Sequence, residues 1–482
     1  MSTESLTGAL KRIFGLSQLR PGQEEVISHL MGGGSGLLLM PTGGGKSLCF
    51  QLPSQLLPGM TLVFSPLIAL MKDQVDALRA KGVSAAFINS ALSRKEREQS
   101  YRDLAKEKIK LLYVTPERFR QQEFCEALVK NQLSLLAVDE AHCISQWGHD
   151  FRPDYSRLGE IRQKLGRPPT LAVTATATPE VCKDILSQLY LGEDAKKWVT
   201  GVERDNLAVS VHHVFGLEDK IRSLVGLRHY ISGPCVVYFS LISTLEHFAS
   251  ELSRLNRPFR KYHGQLPDGL RRKNQEGFLS SKDGLMLATP AFGLGVDKSD
   301  IRLIVHVELP GSLEAYYQEI GRAGRDGQVA EAHLLFDQED ISIQSDFIKW
   351  TTPDPGFIQA VDSLLRERPD DVKAEGINYL RGKMNFYNSR DFRVETTLNL
   401  LERWGLLQWT HCSLKDYKMM GEIPKEMVDK ELHAQRLKSL QVGLLNMVQY
   451  AQSKDCRMAL IYKHFGLQEC EPCGRCDNCQ RN

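Results

Sequence analysis

Short apolar runs, many of them β-branched, alternate with helix-like segments between Gly36 and Phe336. The first series covers residues 36–40, 61–65, 110–115, 133–139 and 170–174. Near-continuous apolar runs separated by helical stretches predict a parallel sheet whose strands are buried on both faces by crossover helices. A polar stretch at residues 201–206 interrupts the pattern, which restarts at 235–240, 284–288, 301–307 and 331–336. Two α/β units in series are therefore expected.

The Trp-Thr-Thr-Pro-Asp-Pro-Gly stretch at 350–356 marks a linker, after which the character changes. About three short helices are expected over 358–408, one of them over 392–404 with Val394, Leu398 and Leu401 apolar. A strand-like segment at 406–410 follows, then a helical run over 430–452 and a cysteine cluster. The expected partition is 1–205, 206–345, 346–425 and 426–482, with the third piece a small helical module, either a winged helix or a brace without nucleic-acid contact.

Composition narrows the class. A chain of 482 residues that is 25% charged and 42% hydrophobic fits a globular protein of roughly three domains. The 61 basic residues balance 59 acidic ones, so binding a polyanion requires local clustering of charge. No apolar run reaches the roughly 20 residues of a membrane span, and the start Met-Ser-Thr-Glu-Ser lacks the pattern of a secretory signal. The expectation is an intracellular protein without a membrane partner, in the cytoplasm or nucleoid of a bacterium or the nucleus of a eukaryote.

The strand at 36–40 runs into Pro41-Thr42-Gly43-Gly44-Gly45-Lys46-Ser47 and then a helical segment. A strand, a glycine-rich turn and a helix N-terminus surround phosphate oxygens with backbone N–H groups and a helix dipole. Lys46 is expected to reach the β and γ phosphates of a nucleotide and Ser47 to hold Mg²⁺; the strict pattern would have Gly at Met40. A second apolar strand ends in Asp139-Glu140-Ala141-His142, which sets an acidic pair at a carboxyl end, where α/β sheets bind ligands. Asp139 suits the outer shell of Mg²⁺ and Glu140 suits polarising the attacking water. In the second unit, Tyr316 to Gly327 contains Gln318, Arg322 and Arg325. The two arginines, three apart, are expected on one helix face kept open by glycines, as arginine fingers toward a nucleotide on the first unit.

Taken in order, several segments resemble the motifs of the RecQ family of DNA helicases. They are Leu19-Arg20-Pro21-Gly22-Gln23, the Gly43 to Ser47 loop, Ser65-Pro-Leu-Ile-Ala-Leu-Met-Lys-Asp-Gln, and Asp139 to His142 with its extension through Trp147, His149, Phe151, Arg152 and Tyr155. Thr174-Ala-Thr176-Ala and Gln318 to Gly327 complete the series, which covers about residues 19–336. The acidic tetrad alone would equally suit RNA helicases of superfamily 2; the aromatic-rich extension resembles RecQ enzymes in particular.

The resemblance implies two RecA-like lobes with ATP between them and single-stranded DNA across their top. It assigns Arg20 and Gln23 to the adenine, although Leu16 stands where the family usually has an aromatic or histidine. It gives Trp147, His149, Phe151 and Arg152 the sensing of DNA, physically reasonable because aromatic faces stack on unpaired bases. It gives Thr174 and Thr176 the link between hydrolysis and lobe movement. In the 288–297 segment, which resembles a motif facing DNA and ATP, Pro290 and Asp297 depart from the usual pattern.

Five of the eleven cysteines fall between Cys456 and Cys479. Cys456, Cys473, Cys476 and Cys479 are spaced Cys-x16-Cys-x2-Cys-x2-Cys, which suits a closed tetrahedral Zn²⁺ site. The spacing resembles the RecQ zinc module, which also begins Cys-Arg, here Cys456-Arg457; Cys470 is extra, either a free thiol or an alternative ligand. The sequence stops three residues after Cys479, so the winged-helix and further helical domains that often follow zinc in this family are not expected. In their place the 353–425 stretch reads as an insertion before the zinc module.

The function expected is an ATP-dependent 3′ to 5′ DNA helicase, the direction being implied by the resemblance alone. It would act in recombination or repair on single-stranded DNA and on duplex with a 3′ single-stranded tail, with DNA-repair proteins as partners. A DNA-stimulated translocase with weak unwinding, an RNA helicase and a nucleic-acid-binding scaffold are the alternatives.

Overall fold

The computed structural model describes residues 6–66, 68–89, 92, 94–145, 153–200, 204–293, 298–384, 391–410, 413–467 and 471–481. The chain gathers into two compact units. One holds the chain up to Glu308 together with Leu313–Asp337 and the chain from Tyr450; the other holds Leu309–Ser312 and Gln338–Gln449. These units cut the chain at places other than 345/346 and 425/426.

The first unit contains two sheets. The first has β1 (Gly36–Leu39), β2 (Met60–Phe64), β3 (Ala85–Ile88), β4 (Leu111–Val114), β5 (Leu133–Val138), β6 (Thr170–Thr174) and β7 (Lys196–Val199), in the order β3-β4-β2-β5-β6-β1-β7. All its pairings are parallel. Side chains alternate between its faces, and both faces are dry: Leu37 and Leu39 enter one core with Leu62, Phe64, Leu136 and Val138, while Leu38 and Met40 enter the other with Val63, Leu135 and Ala137. Two-sided burial is why the central strands are largely apolar.

The second sheet has β8 (Leu207–His213), β9 (Cys235–Tyr238), β10 (Arg260–Tyr262), β11 (Leu285–Ala288), β12 (Leu303–His306) and β13 (Ala330–Phe336), again parallel, in the order β10-β11-β9-β12-β13-β8. Both lobes have the tandem parallel-sheet architecture expected from the sequence. Every strand foreseen is present, and four others, β3, β7, β8 and β10, are the edge strands of the two sheets. An edge strand is packed less completely, so its residues need not be apolar. In β7 only Trp198 is buried, between Lys197 and Val199, and β10 reads Arg-Lys-Tyr.

The α/β pattern ends with β13. The expected linker at 350–356 is a tight junction: one helix, Asp340–Thr351, stops and the next, Pro355–Glu367, starts. Asp354 caps the second helix by accepting a hydrogen bond from Phe357 N at 3.0 Å, with Pro355 at its first position. Helices Pro369–Glu375, Ile377–Met384 and Arg393–Arg403 follow, so with Pro355–Glu367 four described helices occupy the stretch where about three were expected. A hairpin of β14 (Leu407–Thr410) and β15 (Ser413–Met419) comes next, then the helix Lys430–Gln452. Val394, Leu398 and Leu401 face inward, joining Val361, Leu365, Leu407 and Tyr417 in one core. Among the described residues no helix is long and apolar enough to cross a membrane.

Leu398 is 1% exposed, so Leu398→Ala should cost about 2–5 kcal/mol, read as a lower denaturant midpoint for the second unit. An unchanged midpoint would mean that this helix face is not the packed one.

Candidate active site and cysteine cluster

The strand order makes the site. In a parallel sheet all strand-to-helix loops leave from the carboxyl edge. β5, β6 and β1 are adjacent in the sheet, so the loops after them, holding Asp139 and Glu140, Thr174 to Thr176, and Pro41 to Ser47, lie side by side.

The glycine-rich loop delivers Ser47 to the N-terminus of the helix Leu48–Leu56. Gly45 has φ of 89°, and a Cβ there would lie 2.6 Å from Gln23 Nε2, so only glycine fits. Gln23 Nε2 donates to Gly45 O at 3.1 Å and Gly44 O at 3.4 Å, while its amide oxygen accepts from Arg20 N at 2.9 Å. Arg20 Nη1 donates to Gly43 O. In this structure the two residues expected on the adenine brace the phosphate loop. Lys46 Nζ is turned onto its own loop, donating to Met40 O at 3.1 Å and Pro41 O at 3.4 Å. Burial lowers its pKa, Glu140 and Asp139 oppose that shift, and Arg325 adds to it.

Asp139 is 8% exposed. Burial pushes its carboxyl up to about 7, Glu140 pushes the same way, and Lys46 opposes both. A carboxylate this short of compensating charge suits a divalent cation, whose arrival would favour the ionised form. Glu140 adopts a left-handed backbone conformation with φ of 48°, a strained geometry for a residue with a side chain. Its Oε2 is buried with no hydrogen bond among the described residues, 3.4 Å from His142 Nδ1. His142 Nδ1 also lies 3.0 Å from Thr174 Oγ1, and Thr174 Oγ1 lies 3.2 Å from both the N and the O of Thr176. Sequence reasoning quoted His142 only as part of its tetrad, yet it joins the acidic loop to the Thr174 loop.

From the second lobe, Gln318 sits half-buried on the helix Leu313–Ile320. The two arginines do not share a helix face. The helix ends at Ile320, and residues 321–327 form consecutive turns, with Gly324 at φ of 56° and Gly327 at φ of 82°. The same glycines that keep this segment open also stop it from remaining helical. Arg325 nonetheless reaches the first lobe: a Cβ on Gly43 would lie 3.2 Å from Arg325 Cγ, and one on Gly321 would lie 3.4 Å from Thr42 Cβ. Arg322 is 7% exposed, its guanidinium packed on Gly293.

The sulfurs of Cys456, Cys473, Cys476 and Cys479 all lie within 4.8 Å of one another. Tetrahedral zinc with bonds of about 2.3 Å sets sulfurs roughly 3.8 Å apart, so the cluster fits one ion. Cys456 Sγ accepts a hydrogen bond from Cys473 N at 3.3 Å, and Cys476 Sγ accepts from Arg457 N and Cys479 N at 3.4 Å each. Burial raises the Cys456 thiol, but the backbone N–H of Cys473 and other hydrogen bonds outweigh it and bring the thiol down to about 7. Arg457, 2% exposed, forms a two-pronged pair with Asp477 at 2.9 and 3.0 Å. Asp477 also accepts from Val211 N on β8 at 3.3 Å, so the cysteine region closes that edge of the second sheet. Trp147, His149, Phe151 and Arg152, along with Asp297 and Cys470, lie outside the described residues.

Most of the chain is similar to known proteins. Residues 20–185 match the DEAD/DEAH box helicase family, 218–327 the helicase conserved C-terminal domain and 417–480 the RecQ zinc-binding family. The probable ATP-dependent DNA helicase RecS of Bacillus subtilis is 41% identical over 346 residues, covering 71% of this chain and 69% of that protein. The chain belongs to the RecQ family of ATP-dependent DNA helicases. The ATP-dependent DNA helicase RecQ of Bacillus subtilis is 34% identical over 98% of this chain and 66% of its own length. The chain spans only about half of RecQ from Haemophilus influenzae, with 53% covered. Among solved structures, the DUF1998 helicase MrfA bound to DNA has a similar fold, with a TM-score of 0.57 at 17% identity over 87% of this chain and 59% of that one.

In this RecQ-family chain the raised pKa of Asp139 has a consequence for stability. An acid held above its unfolded value contributes stability that is full below about 3.8 and lost as pH rises through about 7. The nucleotide-free protein should therefore lose melting temperature over that window, and Asp139→Asn should flatten the decline. An identical pH profile in the variant would refute the buried-carboxylate assignment.

Proposed function

We propose that this chain hydrolyses ATP to move 3′ to 5′ along single-stranded DNA and to separate duplex in recombination or repair, inside the cell. The observation that carries the reading is the convergence of Lys46, Asp139, Glu140 and Thr174 at adjacent strand ends, with Arg325 of the second lobe against the phosphate loop at Gly43.

The chemistry follows from these groups. Lys46 exchanges the carbonyls of Met40 and Pro41 for the β and γ phosphates, which are better partners for a buried ammonium. Ser47 and Asp139 would hold Mg²⁺, which neutralises phosphate charge. Glu140 orients the attacking water and accepts its proton, and its unbonded Oε2 supports that role. Thr42 to Gly45 contribute backbone N–H groups to the phosphates, and Arg20 and Gln23 stabilise the loop that presents them. Arg322 and Arg325 stabilise charge developing on the γ-phosphoryl group, and Gln318, on the preceding helix, acts with them. His142 and Thr174 pass the state of the acidic loop to Thr176, which couples hydrolysis to movement of the lobes.

Trp147, His149, Phe151 and Arg152 would meet single-stranded DNA; that assignment rests on the family resemblance. Cys456, Cys473, Cys476 and Cys479 would hold Zn²⁺, which ties the chain's last residues together, while Arg457 and Asp477 anchor them to β8. The preferred substrate is duplex with a 3′ single-stranded tail.

The test is ATP hydrolysis with and without single-stranded DNA, run beside unwinding of a 3′-tailed duplex. Stimulated hydrolysis with unwinding is expected, and Lys46→Ala should abolish turnover while some DNA binding remains. Stimulation without unwinding would replace the helicase reading by a translocase, and greater stimulation by RNA than by DNA of the same sequence would move the substrate class.

A further inference from the structure

We infer that Arg204 and Asn206 are positioning residues that clamp the arginine-bearing turn of the second lobe. The chain passes from the first lobe to the second between the end of β7 at Val199 and the start of β8 at Leu207. Within that crossing, Arg204 Nη1 donates to Gly321 O at 3.2 Å and Arg204 Nη2 to Ala323 O. Two residues on, Asn206 Nδ2 donates to Gly324 O and Gln328 O at 2.7 Å each. Two side chains thus take up four carbonyls of the segment that carries Arg322 and Arg325.

The turn needs such a clamp. Its helix has ended at Ile320, so its carbonyls have lost intrahelical partners. Gly321, Gly324 and Gly327 leave its backbone with a large entropy to lose. The fit is tight: a Cβ on Gly324 would lie 2.5 Å from Asn206 Nδ2, so the amide occupies the space that any other residue would fill. The clamp itself is anchored, because Asn206 O accepts from Ala330 N at 2.9 Å and Leu207 pairs with Ala330 where β8 meets β13. Arg204 is also close enough to Arg20 for their charges to interact, and Arg20 grips the phosphate loop at Gly43.

The clamp rests on the proposed role of Arg325, and the experiment separates the two. Asn206→Asp keeps the shape but removes both donated hydrogen bonds, and Arg204→Lys keeps the charge but loses the fork. Each should lower kcat for DNA-stimulated ATP hydrolysis by about 10- to 100-fold, the cost of a small misplacement, with KM for ATP and DNA affinity unchanged. Asp205→Ala serves as the control: Asp205 lies between them and, among the described residues, its side chain makes only an exposed pair with Arg475 at 2.9 Å, so kcat of the variant should not fall. In single-turnover assays, Arg325→Ala with Asn206→Asp should be no slower than Arg325→Ala alone, because a clamp acts only through what it holds. Unchanged kcat in both clamp variants, a rise in KM without loss of kcat, or additive losses in the double variant would overturn the clamp. Wild-type turnover in Arg325→Ala would overturn the arginine assignment, and the clamp with it.

Discussion

A parallel strand cannot be joined to its neighbour by a tight turn, because the chain must first return to the other end of the sheet. Every crossover therefore leaves the carboxyl edge as a loop and comes back through a helix, and all the loops gather along one rim. Most of the candidate site follows from this constraint. Lys46 and Asp139 lie far apart in sequence, yet β1 and β5 are separated only by β6, whose carboxyl end supplies Thr174. The same crossovers bury both faces of the sheet, and the resulting stiffness suits a rim where small displacements matter.

The rim is unsatisfied where the chemistry is expected. Asp139 is buried and pushed toward neutrality, Lys46 leans on carbonyls of its own loop, and Glu140 has a strained backbone and an unbonded carboxylate oxygen. Each of these groups would gain from a triphosphate and its cation, so ligand binding can favour one arrangement of the loops over another. The second lobe is unsatisfied in a different way. Its arginine turn lies outside any helix and gets its order from Arg204 and Asn206.

How much was legible beforehand depended on burial. Central strands declared themselves because two-sided packing leaves little room for polar residues, while β7, β8 and β10, edges with one strand neighbour each, carry polar residues; β3 is an edge as well, but its Ala-Ala-Phe-Ile is largely buried, so edge exposure does not account for it. Helix length at the arginine motif was misjudged because spacing alone gives no weight to the glycines at 321, 324 and 327, the last two of which take positive φ and end the helical path. The helix Arg393–Arg403 was readable from Val394, Leu398 and Leu401, whereas the start of the second unit was hidden: the Pro-rich junction at 350–356 lies between two helices of that unit.

The sequence by itself determined the chemistry available: a glycine-rich loop before Lys46 and Ser47, an acidic pair at a strand end, two arginines, and four cysteines at metal-binding spacing. Such motifs are local, because a turn, a helix N-terminus or a Cys-x2-Cys pair is set by neighbouring residues. Only the tertiary structure decided which motifs meet. It set β6 between β5 and β1, linked His142 to Thr174, brought Arg325 against Gly43, and closed the edge of β8 with Asp477. Those contacts depend on strand order and on polar groups finding partners far along the chain, and no local pattern of residues encodes that information.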